Sequence, residues 1–408
     1  MIALIFTAPA HAHLTPNSEV SLDFGRETVT GDAIIPLGEF DYARGAKLKL
    51  DRAGQPAEDF RPYLAVRIGA ETDGRPWKVA LGPVRVGYDA GPPDLRFALT
   101  LTPPPGVNPR KLTLRWNPVI DSVANHFVLV LARSDFRGGL VSHDPQMLGG
   151  LQPASRTLSI DRGDASIWRG FGSAIGLGMH HIAEGHDHLL FLMTLLLPAP
   201  LLALGGRWGG YGGWRHTLRG LFRVVTAFTI GHSLTLIGGA AFGWRLPARP
   251  VECGIALSIL ISSIHAWRPL FPRREVFVAG GFGLIHGMAF ATVIGAFGLE
   301  PLDKGVSILG FNLGIEIVQL LVVACTMPAL VLLAPTRFYP PLRVAGAWLA
   351  GIAASAWLVE RVFDVKFVLA EAIDAALGYA PWIVAMLTVF AVAVSLGDRR
   401  NRLRPQGR

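Results

Sequence analysis

The sequence predicts a two-part chain: an N-terminal all-β domain, read as an antiparallel sandwich, followed by an all-α polytopic membrane domain of about seven transmembrane helices. Three observations predict it. The 408 residues are 51% hydrophobic with a mean hydropathy of +0.40, and only 17% are charged, below the roughly 25% of soluble domains. The shortage of charge is local: Pro16 to about Asp164 is mixed and rich in Pro and Gly, whereas Phe171 to Leu396 is a series of apolar runs. Within the first half, short segments alternate apolar and polar with the period of two that half-buried strands require.

Met1-Ile2-Ala3-Leu4-Ile5-Phe6 followed by Ala10-His11-Ala12 reads as the end of a signal peptide, so residues 1–12 are taken as a signal-like remnant. Cleavage there would leave His13 as a terminal amine beside an imidazole, a copper- or nickel-binding combination. Residues 13–150 form the expected β-rich extracytoplasmic domain. Asp94–Leu101, Lys111–Trp116 and His126–Leu131 are its clearest strands, and Thr72-Asp73-Gly74 and Thr102-Pro103-Pro104 its turns. His126 and His143 are isolated and read as structural. Neither cysteine, Cys253 or Cys325, lies in this domain, so it needs a conventional core rather than disulfides. Residues 151–167 read as a linker.

Residues 168–397 form the membrane domain, with spans expected near 171–204, 218–242, 251–270, 276–298, 306–333, 342–361 and 381–397, most near the ~20 residues a bilayer requires. Arginines cluster at Arg207, Arg215, Arg219, Arg268, Arg273, Arg274 and Arg337 and in the basic tail 398–408, whereas Glu300, Asp303, Asp364, Glu371 and Asp374 fall in the alternate loops. The positive-inside rule then puts the C-terminus in the cytoplasm and the β domain outside, in the inner membrane of a prokaryote. The net charge of +8 belongs largely to such membrane flanks rather than to a nucleic-acid surface.

Ionisable groups are costly inside a membrane and mark function there. The densest set is His180-His181-Ile182-Ala183-Glu184-Gly185-His186-Asp187-His188. On a continuous helix His181, Glu184 and His188 share one face. Further along stand Thr226, Thr229, His232, Ser233 and Thr235, then His286, then Asn312, Glu316 and Gln319 at i, i+4 and i+7; Glu252 and His265 sit near the ends of a span. Imidazole with carboxylate suits Ni²⁺, Co²⁺, Zn²⁺ or Cu²⁺. A candidate metal set of His181, Asp187, His188, His232, His286 and Glu316 follows, with His180, Glu184, His186, Asn312 and Glu252 as additional candidates. No organic cofactor is expected. For any one histidine the alternative is a helix–helix hydrogen bond.

These residues resemble the HupE/UreJ family, membrane proteins associated with nickel uptake for hydrogenase and urease, and in particular its branch with an N-terminal extracytoplasmic domain. The resemblance rests on His181-x5-Asp187-His188, on Thr226–Leu236, on Phe282–Gly287 and on Gly310–Glu316, in that order. It implies a nickel-permease-like function with those histidines and Asp187 at the site. One departure is plain: the family's Phe-His-Gly-x-Ala-x-Glu motif reads Ile285-His286-Gly287-Met288-Ala289-Phe290-Ala291 here, so its Glu is missing.

Three functions remain in competition. The first is a permease for a divalent transition metal, nickel or cobalt foremost, whose partners are the bilayer, the ion and an extracytoplasmic protein docked on the β domain. The second is an intramembrane zinc-dependent hydrolase, although neither His-Glu-x-x-His nor His-x-x-Glu-His is present. The third is a membrane assembly factor or metal sensor. No Walker A pattern occurs, which excludes ATP hydrolysis by that device.

Overall fold

The computed structural model of the chain describes residues 17–45, 57–87, 92–141, 145–244, 247–296 and 299–403. The signal-like stretch with His11 and His13, His143, and the last residues of the basic tail lie outside them. The chain divides into two compact units, Met1–Gly170 and Phe171–Arg408.

In the first unit the strands are β1 (Ser18–Phe24), β2 (Val29–Pro36), β3 (Ile68–Thr72), β4 (Arg75–Pro76), β5 (Lys78–Leu81), β6 (Arg85–Gly87), β7 (Asp94–Thr102), β8 (Lys111–Trp116), β9 (Val128–Ser134), β10 (Gln146–Leu151) and β11 (Thr157–Asp161). Two short helices, α1 (Leu37–Arg44) and α2 (Arg61–Ala65), interrupt them. One sheet runs β10-β9-β1-β2-β7-β5 with β6 also on β7; the other runs β11-β8-β3-β4. Pairing is antiparallel except between β1 and β9. Alternation explains the layers. Leu95, Phe97, Leu99 and Leu101 of β7 and Leu112, Leu114 and Trp116 of β8 are buried in one shared core, and the Phe97 and Trp116 rings stack at 6.3 Å.

The stretch expected as a linker, 151–167, is corrected by β11. Its residues pair with β8, Ile160 is buried, and the β unit extends at least to Asp161. His126 is structural: its Nε2 lies 2.8 Å from Ser18 Oγ, and its Nδ1 faces Glu39 at 3.5 Å. Beneath the same unit Asp135, fully buried, is held by Arg110 Nη2 at 2.9 Å and Arg162 Nε at 2.8 Å. A buried carboxylate is tolerable only when paired in this way.

The helices of the membrane unit are α3 (Ile167–Glu184), α4 (His186–Leu196), α5 (Trp214–Phe242), α6 (Ala248–Trp267), α7 (Glu275–Ala296), α8 (Pro301–Leu333), α9 (Tyr339–Phe363), α10 (Val368–Leu377) and α11 (Ala380–Leu403). Among the described residues, α5, α6, α8, α9 and α11 (to Gly397) are long and apolar enough to cross a membrane, and α7 is apolar but shorter over Glu275–Ala291. The protein is therefore an integral membrane protein.

The expected first span, 171–204, is corrected. It breaks at Gly185 into α3 and α4, and its end is a hairpin of β12 (Leu201–Leu204) and β13 (Arg207–Tyr211). Gly205 and Gly206, both with positive φ, supply the two-residue turn that favours glycine. Trp208 Nε1 donates to the His265 carbonyl at 2.9 Å and pins the hairpin to α6. The first part of the basic tail, 398–403, belongs to α11, which continues through Leu403.

The β unit should lose stability on acidification in two stages. Burial pushes the His126 imidazole below its ordinary value, with Glu39 opposing. The unfolded chain then takes up the proton first, so stability declines as pH falls below about 6.5. Burial would raise the Asp135 carboxyl, but Arg110 and Arg162 outweigh it and hold it below its ordinary value; that contribution is lost as pH falls below about 4. Thermal unfolding of the full chain followed by Trp fluorescence from pH 8 to 3 checks this, and His126→Asn is expected to flatten the upper stage alone.

Candidate metal centre

Gly185 shapes the centre. It caps α4 in a non-helical conformation (φ −74°, ψ 86°). A Cβ there would stand 2.7 Å from the His181 carbonyl oxygen and 2.9 Å from His188 Nδ1, so only glycine allows the turn between the two histidines. A continuous helix would keep Glu184 on their face. The break redirects His188, which turns inward and is buried, while Glu184, at the end of α3, stays outside, 68% exposed and paired with His180 Nε2 at 2.8 Å.

One nitrogen each from His181, His188 and His232 lies within 4.8 Å of the others. The three come from α3, α4 and α5. Asp187 Oδ1 sits 2.9 Å from His188 Nδ1 and accepts the His188 backbone N–H at 2.8 Å. A carboxylate only accepts, so Nδ1 carries the proton and Nε2 keeps its lone pair. His188 Nε2, His181 Nε2 and both nitrogens of His232 are buried without a hydrogen bond. Asn312, from α8, lies close enough to His232 to interact with it but makes no hydrogen bond of good geometry to it; its amide donates to the Ile308 carbonyl at 2.9 Å.

His286 of α7 adjoins the trio. Its ring centroid is 5.0 Å from that of His188, itself 4.8 Å from that of His181. Ser258 Oγ, on α6, lies 2.9 Å from His286 Nε2 and donates its one proton to the Ile255 carbonyl. It therefore accepts from Nε2–H, and His286 Nδ1, buried and without a partner, retains a lone pair. Phe228, Phe290 and Phe311 wall the cluster: Phe228 lies 5.2 Å from His286, Phe290 4.9 Å and Phe311 5.4 Å from His181. Four neutral imidazoles with free nitrogens in an aromatic box suit a borderline divalent cation. Bond lengths of about 2.0–2.1 Å would require neighbouring nitrogens about 3.4 Å apart, so the rings must close further onto an ion.

The other candidates lie elsewhere. Glu316 is half-buried on α8 and outside the group of converging ligand atoms. Glu252 faces Arg361 Nε at 3.6 Å, and His186 Nδ1 faces Asp374 at 3.2 Å. Thr229 and Ser233 return their hydroxyls to carbonyls of their own helix, the structural alternative for such groups. His265 accepts the Leu270 N–H and stacks on Phe271. Ser258 and the phenylalanine walls were not singled out in the sequence. Ser258 is one of several serines along α6, and only its partner gives it meaning.

A family model described as HupE / UreJ protein matches residues 156–361, just over half of the chain. The chain belongs to the HupE/UreJ family. No curated protein and no solved structure matches it. The HupE/UreJ match starts ahead of α3 and ends within α9, so it contains all four histidines of the cluster.

Asp187 acts through His188, and removing such a supporting partner weakens a metal site about 10- to 100-fold. Asp187→Asn is expected to weaken divalent-ion binding by that factor while the protein still inserts. Titration of the purified chain with Ni²⁺ and Zn²⁺ checks it.

Proposed function

We propose that this HupE/UreJ protein is a permease for a divalent transition-metal ion, with nickel or cobalt as the first cargo to test. The observation that carries the reading is the convergence of His181, His188 and His232, with bare nitrogens, inside a helical membrane unit. Neutral imidazoles replace part of the ion's hydration shell, and Asp187 supplies one compensating charge. His286 extends the ligand set along the bundle. Glu316 and Asn312 stand on α8. The missing Glu at Ala291 sets this chain apart from the nickel motif, so zinc and copper belong in the same assay. The ectodomain is assigned outside a prokaryotic inner membrane and the C-terminus inside, on the arginine bias. Delivery of the ion or docking of a partner falls to the β unit.

A second reading is a zinc hydrolase, favoured by one observation: three histidines with an open fourth position are the ligand set of some catalytic zinc sites. The nearby carboxylates are engaged, Asp187 with His188 and Glu184 with His180, which leaves neither free to activate a water.

Uptake of Ni²⁺, Co²⁺, Zn²⁺ and Cu²⁺ into cells expressing the wild type, His188→Ala or Glu316→Gln tests the proposal. Uptake of one ion by the wild type, abolished by His188→Ala at equal membrane abundance, is expected; Glu316→Gln should slow it. Wild-type uptake by His188→Ala overturns the metal path. Ion retained on the purified protein without uptake favours the hydrolase or a metal sensor.

A further inference from the structure

The two glycine-lined helix crossings around the site are copies of one another. A methyl added at Gly178 of α3 would overlap the Phe311 carbonyl of α8; one at Gly314 would overlap the Ile175 carbonyl and press on the Met179 nitrogen. A methyl at Gly283 of α7 would overlap the Phe228 carbonyl of α5; one at Gly231 would overlap the Gly280 carbonyl and press on the Leu284 nitrogen. Adding 105 to each α3 position gives the α7 position, and subtracting 83 from each α8 position gives the α5 position. The sequence repeats on the same registers. Ala174-x-Gly176-x-Gly178-x-x-His181 recurs as Ala279-x-Gly281-x-Gly283-x-x-His286, and Gly310-Phe311-Asn312-Leu313-Gly314 as Ala227-Phe228-Thr229-Ile230-Gly231.

The side chains follow. His181 faces Phe311 at 5.4 Å and its counterpart His286 faces Phe228, the counterpart of Phe311, at 5.2 Å. His188 stands between the two, 4.8 Å from one ring and 5.0 Å from the other. Among the positions that differ between the copies, one bears on the ligands: His232 corresponds to Ile315, which is also fully buried. With the broken pair α3–α4 taken as one pass alongside α5 and α6, α7 enters three passes after α3, which would run the second copy in the opposite direction through the membrane.

We propose that α3–α4, α5 and α6 and α7, α8 and α9 are two inverted repeats, and that the His181–His188–His232 site has a mirror half built on His286 with His188 shared. An ion then passes from the His181 side to the His286 side with His188 bound throughout, and the two glycine crossings open alternately. The free, buried Nδ1 of His286 is the ligand atom of the second half. Inverted repeats with a site at their interface are a recurrent architecture for alternating access. This deepens the permease reading and rests on it.

The mirror can be tested by moving a ligand across it. Purified full-length variants are titrated with Ni²⁺, and with Zn²⁺ in parallel. His232→Ile should weaken binding at least about tenfold, as loss of even a supporting partner does. The double variant His232→Ile, Ile315→His rebuilds the trio on the other side and should recover most of that loss. A folded double variant that binds no better than His232→Ile overturns the mirror half. Independently, His286→Ala in proteoliposomes should keep a measurable ion-bound state while uptake falls at least about tenfold; uptake at the wild-type rate also overturns it, and this result decides where the double variant does not fold. A wild type that binds neither ion sinks the permease reading itself, a distinct outcome.

Discussion

A polar atom buried without a partner costs about 1–3 kcal/mol, and the membrane unit carries several of them on adjoining rings. His181, His188, His232 and His286 all keep bare nitrogens in the interior. Hydroxyls nearby are neutralised at little cost: those of Thr229 and Ser233 return to carbonyls of their own helix, and that of Thr235 lies 2.9 Å from both the Gly231 and the Leu284 carbonyl and donates to one of them. The contrast matters. The fold can satisfy polar side chains, yet leaves these imidazoles open. Asp187 and Ser258 spend their hydrogen bonds on the far nitrogens of His188 and His286, which fixes the tautomers and aims the lone pairs inward. On the permease proposal, a cation in the space between them would recover that cost.

That arrangement depends on backbone proximity. Rings from several helices meet only because the helices approach at glycine, at Gly178 and Gly314 on one side and at Gly231 and Gly283 on the other. In a lipid environment close van der Waals packing of small residues replaces the hydrophobic drive that assembles soluble cores. The aromatic residues beside the glycines, Phe228 and Phe311, then pack against the imidazoles of His286 and His181.

Much of this was legible in the sequence. Strands β7 and β8 follow from strict alternation, and the membrane helices from apolar runs. His181, His188, His232 and His286 stood out because a histidine inside such a run has no reason to be there as mere filling. What periodicity could not deliver was the break at Gly185: a 3.6-residue repeat assumes a continuous helix and so placed Glu184 beside His181 and His188, whereas the bend redirects His188 alone and Glu184, still on α3, faces outward beside His180. The stretch around β11 looked like a linker because its strand is short and pairs with β8, more than forty residues away, a partnership no local pattern reveals. Ser258 was silent for the same reason, since its role exists only through His286 on another helix.

The charge balance of the cluster bears on what it can do. Three or four neutral imidazoles and a single Asp187 carboxylate leave a divalent ion only partly compensated in a low-dielectric surround. A site meant to keep its metal would add thiolates or further carboxylates and close the coordination sphere, as structural sites do. Here Glu184 faces outward and Cys253 and Cys325 lie apart from the converging ligands. Passage through a membrane needs binding strong enough to strip water and weak enough to release. An imidazole-rich, charge-poor site would meet both demands of the proposed permease: it would offer ligands that suit the ion and withhold the countercharge that would trap it.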